Sequence, residues 1–381
     1  QLIKVVTGIR RCGKSTLFEL YQEHLLQNGV EPEQIIAFNL EDGDYADIED
    51  SKALYDLVRA RLLPDKMNYI FLDEVQRVKD FQKAVDGLFI KKNCDVYITG
   101  SNAYLLSGEL ATLLSGRYVE IKMLPLSFKE YVSAFPADSS KDRLYQQYLH
   151  NSSFPYTLEL KRPKDIRQYL EGIYDSIVLK DIVARKRFQD VAMLGSVVRF
   201  LFDNIGNMCS TKKIADTMTS AGRKISVHTV ESYLAALTDS FIFYRVGRYD
   251  IKGKQYLKTG DKYYAADIGL RYNVLGTKKA DQGHILENIV YLELLRRGYE
   301  VYVGKVGAAE VDFIAIGDEG EEYYQVAYTV IDTDGSTLER ELGPLDAISD
   351  HNPKYLLTMD FNPLTSHNGI KQINVLDWLL K

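Results

Sequence analysis

The chain has 381 residues, 46% of them hydrophobic and 26% charged, with a net charge of -6 at pH 7. This composition is typical of a globular protein, and the length predicts two or three domains. The acidic balance disfavours a protein that coats nucleic acid along its whole length, although it allows a local basic face.

Three cysteines without a Cys-x-x-Cys spacing, together with scattered histidines, disfavour a disulfide framework or a zinc ribbon. No apolar run reaches the roughly 18 residues that cross a bilayer. We therefore expect a cytoplasmic protein with no membrane partner. Because the printed chain begins with Gln1 rather than Met, we also expect a further N-terminal stretch.

Short apolar runs alternate with helical periods along the first third of the chain. The predicted strands are residues 3–7, 35–39, 69–73, 96–99 and 118–123. The predicted helices are residues 14–27, 51–62 and 81–89. Strands rich in Ile, Val and Phe are typical of a parallel sheet that is covered on both faces, so this region predicts an α/β unit.

The segment GIRRCGKS at residues 8–15 follows the first strand, opens the first helix and matches G-x-x-x-x-G-K-[ST]. Such a loop binds phosphate through backbone N–H groups and the positive end of the helix, and the strand and helix around it disfavour a plain glycine-rich turn. Lys14 is predicted to reach the β- and γ-phosphates, and Ser15 to ligate Mg²⁺. The predicted nucleotide contacts are Gly8, Ile9, Arg10, Arg11, Cys12, Gly13, Lys14, Ser15 and Thr16.

The third predicted strand is apolar and ends in two carboxylates, Asp73 and Glu74. Beside a phosphate loop, the first is predicted to hold Mg²⁺, through water, and the second to orient and deprotonate the attacking water. The alternative is an ordinary acidic loop after a strand. The pair of acids favours hydrolysis over kinase-type transfer.

Polar residues also follow the next two strands. A strand inserted between those that carry the loop and Asp73 would bring Ser101 or Asn102 near the γ-phosphate as a sensor, although such a pair is often only a turn. Arg117 precedes the fifth strand, and is predicted either as an arginine finger for a neighbouring subunit in a homo-oligomer or as a surface residue. The guanine-reading Asn-Lys-x-Asp motif is absent, which favours ATP over GTP.

Residues 128–246 have a helical pattern. Residues 211–220 and 226–238 are predicted to form two helices joined by a turn, and residues 248–266 a basic hairpin. A winged helix has this pattern, in which Arg245, Arg248, Lys252 and Lys254 would contact DNA phosphates. Packing as a lid, or contact with another protein, is an equal alternative. A long helix (285–297) and strands at 300–303, 311–316 and 323–328 follow, and one last helix and strand are expected to close the chain.

These features resemble a prokaryotic family of AAA+ ATPases with a C-terminal domain of unknown function. The resemblance covers essentially the whole chain, and its markers are residues 8–15, 69–76, 100–117, 125–128, 173–182, 263–270, 285–298 and 310–313. It implies a P-loop NTPase (AAA+/ASCE) core at 1–127, a helical lid at 128–190, a winged helix at 191–275 and a restriction-endonuclease-like α/β domain of the PD-(D/E)xK type at 276–381. ATP and Mg²⁺ are the implied cofactors.

Nucleases of the restriction-endonuclease type place Asp, then Glu-x-Lys, on adjacent strands, where the carboxylates bind Mg²⁺ and the lysine helps to activate water. Asp312 matches the first position, whereas Gln325 and Ala327 stand at the Glu and Lys positions. Lys305 could replace the missing lysine from a neighbouring strand. Glu287 lies on the helix that precedes these strands. We expect a recognition or oligomerisation domain rather than a nuclease.

Three hypotheses follow from the sequence. The first is an ATP-driven switch or motor that acts on DNA or protein. The second is an ATP-regulated nuclease. The third is a nucleotide-gated regulator that binds DNA.

Overall fold

The structure, a computed structural model, describes residues 2–101, 103, 113–183, 186, 188–276, 281–332, 335–361 and 366–381. The chain divides into two compact units. The first comprises Gln1–Pro125 and Asp239–Phe241, and the second comprises Leu126–Thr238 and Ile242–Lys381. The domain boundaries drawn from the sequence inside the second unit remain predictions.

The first unit is an α/β unit, and its order of elements confirms the prediction. Its strands are β1 (Ile3–Thr7), β2 (Ile35–Asn39), β3 (Asn68–Asp73), β4 (Cys94–Gly100) and β5 (Tyr118–Lys122). Its helices are α1 (Lys14–Gln27), α2 (Ser51–Arg59) and α3 (Phe81–Phe89).

All pairs in this five-stranded sheet are parallel, in the order β2-β3-β4-β1-β5. Strand β4 therefore lies between β3 and β1, as expected from the sequence. Alternate residues of one strand enter different cores: Ile70 packs with one cluster, whereas Phe71 stacks on Tyr97 in another, with ring centroids 4.7 Å apart. Burial on both faces explains why the central strands β3 and β4 are mostly apolar, whereas the edge strand β5 is largely exposed.

The second unit begins with helices. They are α4 (Phe128–Ser133), α5 (Lys141–Asn151), α6 (Pro163–Asp175), α7 (Val191–Asp203), α8 (Thr211–Ser220) and α9 (Val227–Asp239). A π-helical stretch, Ser176–Val183, follows α6. The Ser226 hydroxyl accepts the N–H of Thr229 at 3.0 Å and so caps the N-terminus of α9. No helix in the described parts of the chain is long and apolar enough to cross a membrane.

An eight-stranded sheet forms the rest of the second unit, in the order β12-β13-β11-β10-β9-β8-β6-β7. Its strands are β6 (Phe243–Asp250), β7 (Gln255–Ala265), β8 (Glu300–Val306), β9 (Ala309–Gly317), β10 (Gly320–Ala327), β11 (Lys354–Thr358), β12 (Ser366–His367) and β13 (Ile370–Asn374). The remaining helices are α10 (Ile268–Leu275), α11 (Gln282–Arg296), α12 (Ser336–Asp346) and α13 (Val375–Leu379).

The hairpin predicted as the wing is part of this sheet. Strand β6 pairs in parallel with β8, and Tyr249 is buried in one core with Ile314 and Leu356. The hairpin is thus continuous with the C-terminal strands instead of projecting as a separate wing. The expectation of one last helix and strand was wrong, because α12, β11, β12, β13 and α13 all follow β10.

Candidate nucleotide-binding site

The loop between β1 and α1 has the backbone that the glycine-rich motif predicts. Gly8, Arg11 and Gly13 have positive φ angles of 154°, 68° and 105°. A Cβ atom at Gly8 would lie 2.1 Å from the carbonyl oxygen of Met123, so only glycine fits this position. The side chains of Ile9 and Cys12 are buried, and burial raises the pKa of the Cys12 thiol. These two residues therefore offer a ligand their backbone groups rather than their side chains.

Lys14 is the first residue of α1, and its side chain folds back over the loop. It is only 4% exposed, and its Nζ donates to the carbonyl oxygens of Gly8 at 3.0 Å and Ile9 at 3.2 Å. Both acceptors are neutral, so the chain surrounds this ammonium with dipoles rather than with a carboxylate. A phosphate oxygen is an anionic partner that this ammonium would prefer.

Ser15, Asp73 and Thr99 form a connected set of oxygen groups. The Ser15 hydroxyl donates to Oδ2 of Asp73 at 2.5 Å, and the Thr99 hydroxyl donates to Oδ1 of the same carboxylate. Hydroxyl and carboxylate oxygens are the ligands that Mg²⁺ prefers in proteins. The residues present thus fit a magnesium ion held between the start of α1 and the end of β3.

Glu74 directly follows β3 in a left-handed conformation, with φ of 52°. Its N–H donates to the Thr99 hydroxyl at 2.9 Å. Its Oε2 accepts from the Gln76 amide and, at 3.3 Å, from the Ser101 hydroxyl. Ser101 therefore lies beside the acidic pair, while Asn102, the other predicted sensor, is outside the described residues. Gln76 was not singled out from the sequence, because a glutamine two residues after a carboxylate carries no recognisable signal.

Arg10 of the loop is connected to the turn after β3. Its guanidinium contacts Oε1 of Glu41 at 2.6 Å, and Arg77 contacts the same oxygen at 2.7 Å. Partial burial raises the pKa of Glu41, but the charges of Arg10 and Arg77 outweigh burial and leave that pKa lower than usual. Arg11, Ser15 and Thr16 are exposed at the same end of α1.

Arg117 has partners within its own unit. Its guanidinium forms an ion pair with Asp86 of α3 and lies 5.6 Å from the ring centre of Phe89. Its side chain is 43% exposed. The arrangement suits a surface arginine, and the role as an arginine finger remains a prediction.

In the second unit, Asp312 of β9 lies on the strand next to Gln325 of β10. The Gln325 Oε1 accepts the N–H of Asp312 at 3.3 Å, and the Asp312 Oδ2 accepts the N–H of Val326 at 2.9 Å. Ala327 adds no charged group. Nζ of Lys262, on β7, lies 3.9 Å from Oδ1 of Asp312. Lys262, rather than Lys305, is therefore the lysine that the structure brings to Asp312. Lys262 precedes Asp312 by a long stretch of chain, so no local spacing predicted it.

The four basic residues predicted to contact DNA differ in their surroundings. Arg245 is paired with Asp261 at 2.7 Å, and Nε of Arg248 is buried. Lys252 and Lys254 are exposed in the hairpin turn. At the start of α9, the exposed His228 lies 3.9 Å from Glu231, so this helix presents little positive charge.

The parallel sheet, the phosphate loop and the two acids at the end of β3 define a P-loop NTPase fold in the first unit. In agreement, residues 1–132 match the family described as AAA domain. Residues 142–281 match a domain of unknown function, DUF8612.

An uncharacterized protein of Haemophilus influenzae is 43% identical over 383 residues, covering 100% of this chain and 94% of that protein. The chain belongs to the same family as this protein. An uncharacterized protein of Methanocaldococcus jannaschii is 29% identical over 356 residues, covering 89% of this chain and 77% of that protein.

Among solved structures, the chain is similar to a Walker-type ATPase of Pyrococcus abyssi, with 12% identity and a TM-score of 0.49 over 71% of this chain and 90% of that one. It is also similar to AMPPCP-bound DnaA from Aquifex aeolicus, with 13% identity and a TM-score of 0.31 over 62% of this chain and 82% of that one. Both TM-scores are below 0.5, and neither likeness adds to what the site itself indicates.

Proposed function

We propose that this protein binds ATP with magnesium in its first unit and hydrolyses it, and that hydrolysis switches the protein between two conformations. The observation that supports this most strongly is the contact of the Ser15 hydroxyl with Asp73 beside the buried ammonium of Lys14. The proposed phosphate ligand, Lys14, and the proposed metal ligands, Ser15 and the distant Asp73, thus lie at one edge of the sheet.

Binding of the triphosphate falls to the loop and to Lys14. The N–H groups of the loop and the start of α1 point their positive ends at the phosphates, and the Lys14 ammonium exchanges two neutral carbonyl partners for phosphate oxygens. Ser15 and Asp73 would hold the magnesium ion. When bound, this ion neutralises charge on the β- and γ-phosphates.

Glu74 would act as the base that orients and deprotonates the attacking water. Its backbone is fixed by Thr99, and its carboxylate by Gln76 and Ser101. A base held from three sides needs little reorganisation before the proton is transferred, which is how fixed geometry lowers a barrier.

Glu41 offers a route by which hydrolysis could be sensed. It joins Arg10 of the loop to Arg77 of the turn that follows Glu74. Loss of the γ-phosphate changes the charge beside the loop, and the shared carboxylate would pass this change to the turn. An ordered contact that depends on the γ-phosphate is a common basis of nucleotide switches.

We also infer a winged-helix-like region around α8 and α9, and a restriction-endonuclease-like domain at residues 276–381. The second inference is supported by the placement of Asp312 and Gln325 on adjacent strands and of Glu287 on α11. The residues around Asp312 do not fit a magnesium nuclease, because Gln325 and Ala327 replace the ligand and the lysine. Recognition of a partner or assembly of a homo-oligomer is the role we propose for this domain.

DNA is a less supported partner. Arg245, one of the four predicted phosphate contacts, is already paired with Asp261. Lys252 and Lys254 are exposed in the hairpin turn. Contacts of these lysines with phosphates would give weak binding that is sensitive to salt.

Calorimetry with ATP and magnesium tests nucleotide binding. We expect Lys14→Ala to weaken ATP affinity at least about 100-fold, since a buried charged partner of phosphate is lost. Lys92→Ala, at an exposed lysine of the same unit, is the matched control and should bind like the wild type. Equal affinity in all three proteins would refute the assignment.

A further inference from the structure

The second unit contains a buried ammonium surrounded by carboxylates. Lys262 of β7 is 3% exposed. Its Nζ lies 2.8 Å from Oε1 of Glu287, 2.9 Å from Oε1 of Glu310 and 3.9 Å from Oδ1 of Asp312. The partners come from α11 and β9, so this lysine joins the hairpin to the helix and strand of the C-terminal region.

The rest of the cluster is closed by polar groups and backbone. Glu287 also accepts from the Tyr264 hydroxyl, and Nδ1 of His284 lies 3.2 Å from its Oε2. A Cβ atom at Gly206 would lie 2.8 Å from Nδ1 of His284, so the loop after α7 packs directly on the cluster. Little room remains there for a further group.

The charges of the cluster require a cation. Burial lowers the pKa of Lys262, but the negative charges of Glu287, Asp312 and Glu310 outweigh burial and raise it above its ordinary value. The ammonium therefore stays charged in a site where an isolated ammonium would lose its proton. Without it, the carboxylates of Glu287 and Glu310 would share a poorly solvated site with the carboxyl group of Asp312 and no compensating charge.

The oxygen groups that a metal would need are already engaged. Oε1 of Gln325 accepts from the backbone of Asp312, and its amide donates to Oε2 of Glu341 at 2.8 Å. Within the described residues, no group of three His, Cys, Asp or Glu side chains is arranged to hold a metal ion. The donor set thus does not fit the magnesium ion that the nuclease resemblance implies.

We propose that the ammonium of Lys262 is the built-in cation of this cluster, standing where a divalent metal would stand in a nuclease of this type. It neutralises Glu287 and Glu310, lies beside Asp312 and fixes the hairpin to the C-terminal strands, so that the unit keeps an acidic frame without a metal. The comparison with a nuclease rests on the domain type proposed above, whereas the contacts of Lys262 do not.

The test replaces the ammonium and then offers a metal. Lys262→Ala removes the ammonium and leaves the space around its Nζ open to a metal ion. Ca²⁺ is a suitable probe because its bonds to oxygen, about 2.3–2.6 Å long and flexible in geometry, come nearest to the spacing around Nζ. All proteins carry Asp73→Asn, are free of nucleotide, and are compared in Ca²⁺ and in EDTA, so that the first unit contributes no metal effect.

Fluorescence of Trp378 follows unfolding of the second unit, since Trp378 is the chain's single tryptophan and lies beside Arg297 and Tyr324. We expect Lys262→Ala to lower the Tm by about 10 °C in EDTA, the usual scale for breaking a buried ion pair. Ca²⁺ should restore at least half of this loss, and a second substitution, Asp312→Asn, should reduce the restoration. The Tm of the protein with Lys262 intact should be the same in both solutions.

Three results would overturn the proposal. In the first, Ca²⁺ raises the Tm of the protein with Lys262 intact, and Asp312→Asn abolishes this effect. In the second, Lys262→Ala does not lower the Tm, and in the third it lowers the Tm but Ca²⁺ does not restore it. If Lys262→Ala does not fold in EDTA, refolding in Ca²⁺ decides: recovery of the native Trp378 spectrum supports the proposal, and no recovery counts against it. None of these results depends on ATP binding, so they are separate from any failure of the proposed ATPase.

Discussion

The hydroxyl of Ser15 lies 2.5 Å from Oδ2 of Asp73, although 58 positions separate the two residues in the chain. The contact arises because β1 and β3 flank β4 in one parallel sheet, and the carboxyl ends of all three strands lie at the same edge. The residue that opens α1 therefore meets the residue that closes β3. This meeting brings two separate sequence motifs together in the site that we propose for a nucleotide and its magnesium ion.

Gln76 should affect catalysis more than binding. Its amide donates to the Glu74 carboxylate, whereas its own Oε1 is buried without a partner among the residues that the structure describes. We expect Gln76→Ala to lower kcat about tenfold, because the base loses one of its supports, and to change ATP affinity less than twofold. Steady-state phosphate release and calorimetry measure the two quantities.

Gln27→Ala, at an exposed position of α1, is the control for Gln76 and should leave kcat unchanged. A fall in ATP affinity equal to the fall in kcat would show that Gln76 supports the loop as a whole. In that case its proposed role at Glu74 is wrong.

Much of the first unit was predictable because its signals are local. The phosphate loop, the strand that ends in Asp73 and Glu74, and the helix from Lys14 each occupy one continuous stretch, and the structure has them at nearly the predicted bounds. Gln76 was missed, because its contact with Glu74 depends on the left-handed backbone of Glu74 rather than on a sequence pattern.

The second unit was less predictable because its decisive contacts are distant in sequence. The hairpin has the residue pattern and the turn that are typical of a wing. Only the pairing of β6 with β8 shows that the hairpin extends the C-terminal sheet. Lys262 belongs to this hairpin, so its place beside Asp312 follows from the same pairing. A motif search centred on Asp312 could consider only nearby lysines such as Lys305.

Arg117 offers a test of inter-subunit catalysis. Because its guanidinium pairs with Asp86 of the same chain, we expect Arg117→Ala to change ATP turnover less than threefold. An arginine finger would instead contribute a factor of about 10³ or more.

A mixing experiment distinguishes the two roles of Arg117. Arg117→Ala retains its own nucleotide site, whereas Lys14→Ala retains the arginine. If Arg117→Ala alone is nearly inactive and addition of Lys14→Ala protein restores turnover, the arginine acts on a neighbouring subunit and our expectation is wrong.

Asp312 should make the stability of the second unit depend on pH. Burial, together with the nearby charge of Glu287, raises the pKa of Asp312 to about 8. Between about pH 4 and pH 8 the unfolded chain loses this proton while the folded chain keeps it, so this group lowers stability as the pH rises.

Asp312→Asn removes this titration while leaving an oxygen to accept the N–H of Val326. Relative to the wild type, the variant should therefore gain stability between pH 5 and pH 8, by at most about 1.4 kcal/mol per pH unit. Urea unfolding followed by Trp378 fluorescence measures the difference. A difference that is constant over this range would show that Asp312 is ionised throughout.

The most direct test of the central claim measures ATP binding and ATP turnover in the same Glu74→Gln protein. The substitution keeps the size of the side chain and the contacts of the loop, Lys14, Ser15 and Asp73, but removes the base. We predict an affinity for ATP with magnesium within about threefold of the wild type and a turnover at least about 100-fold lower. Unchanged turnover, or no nucleotide binding by the wild type itself, would contradict the account.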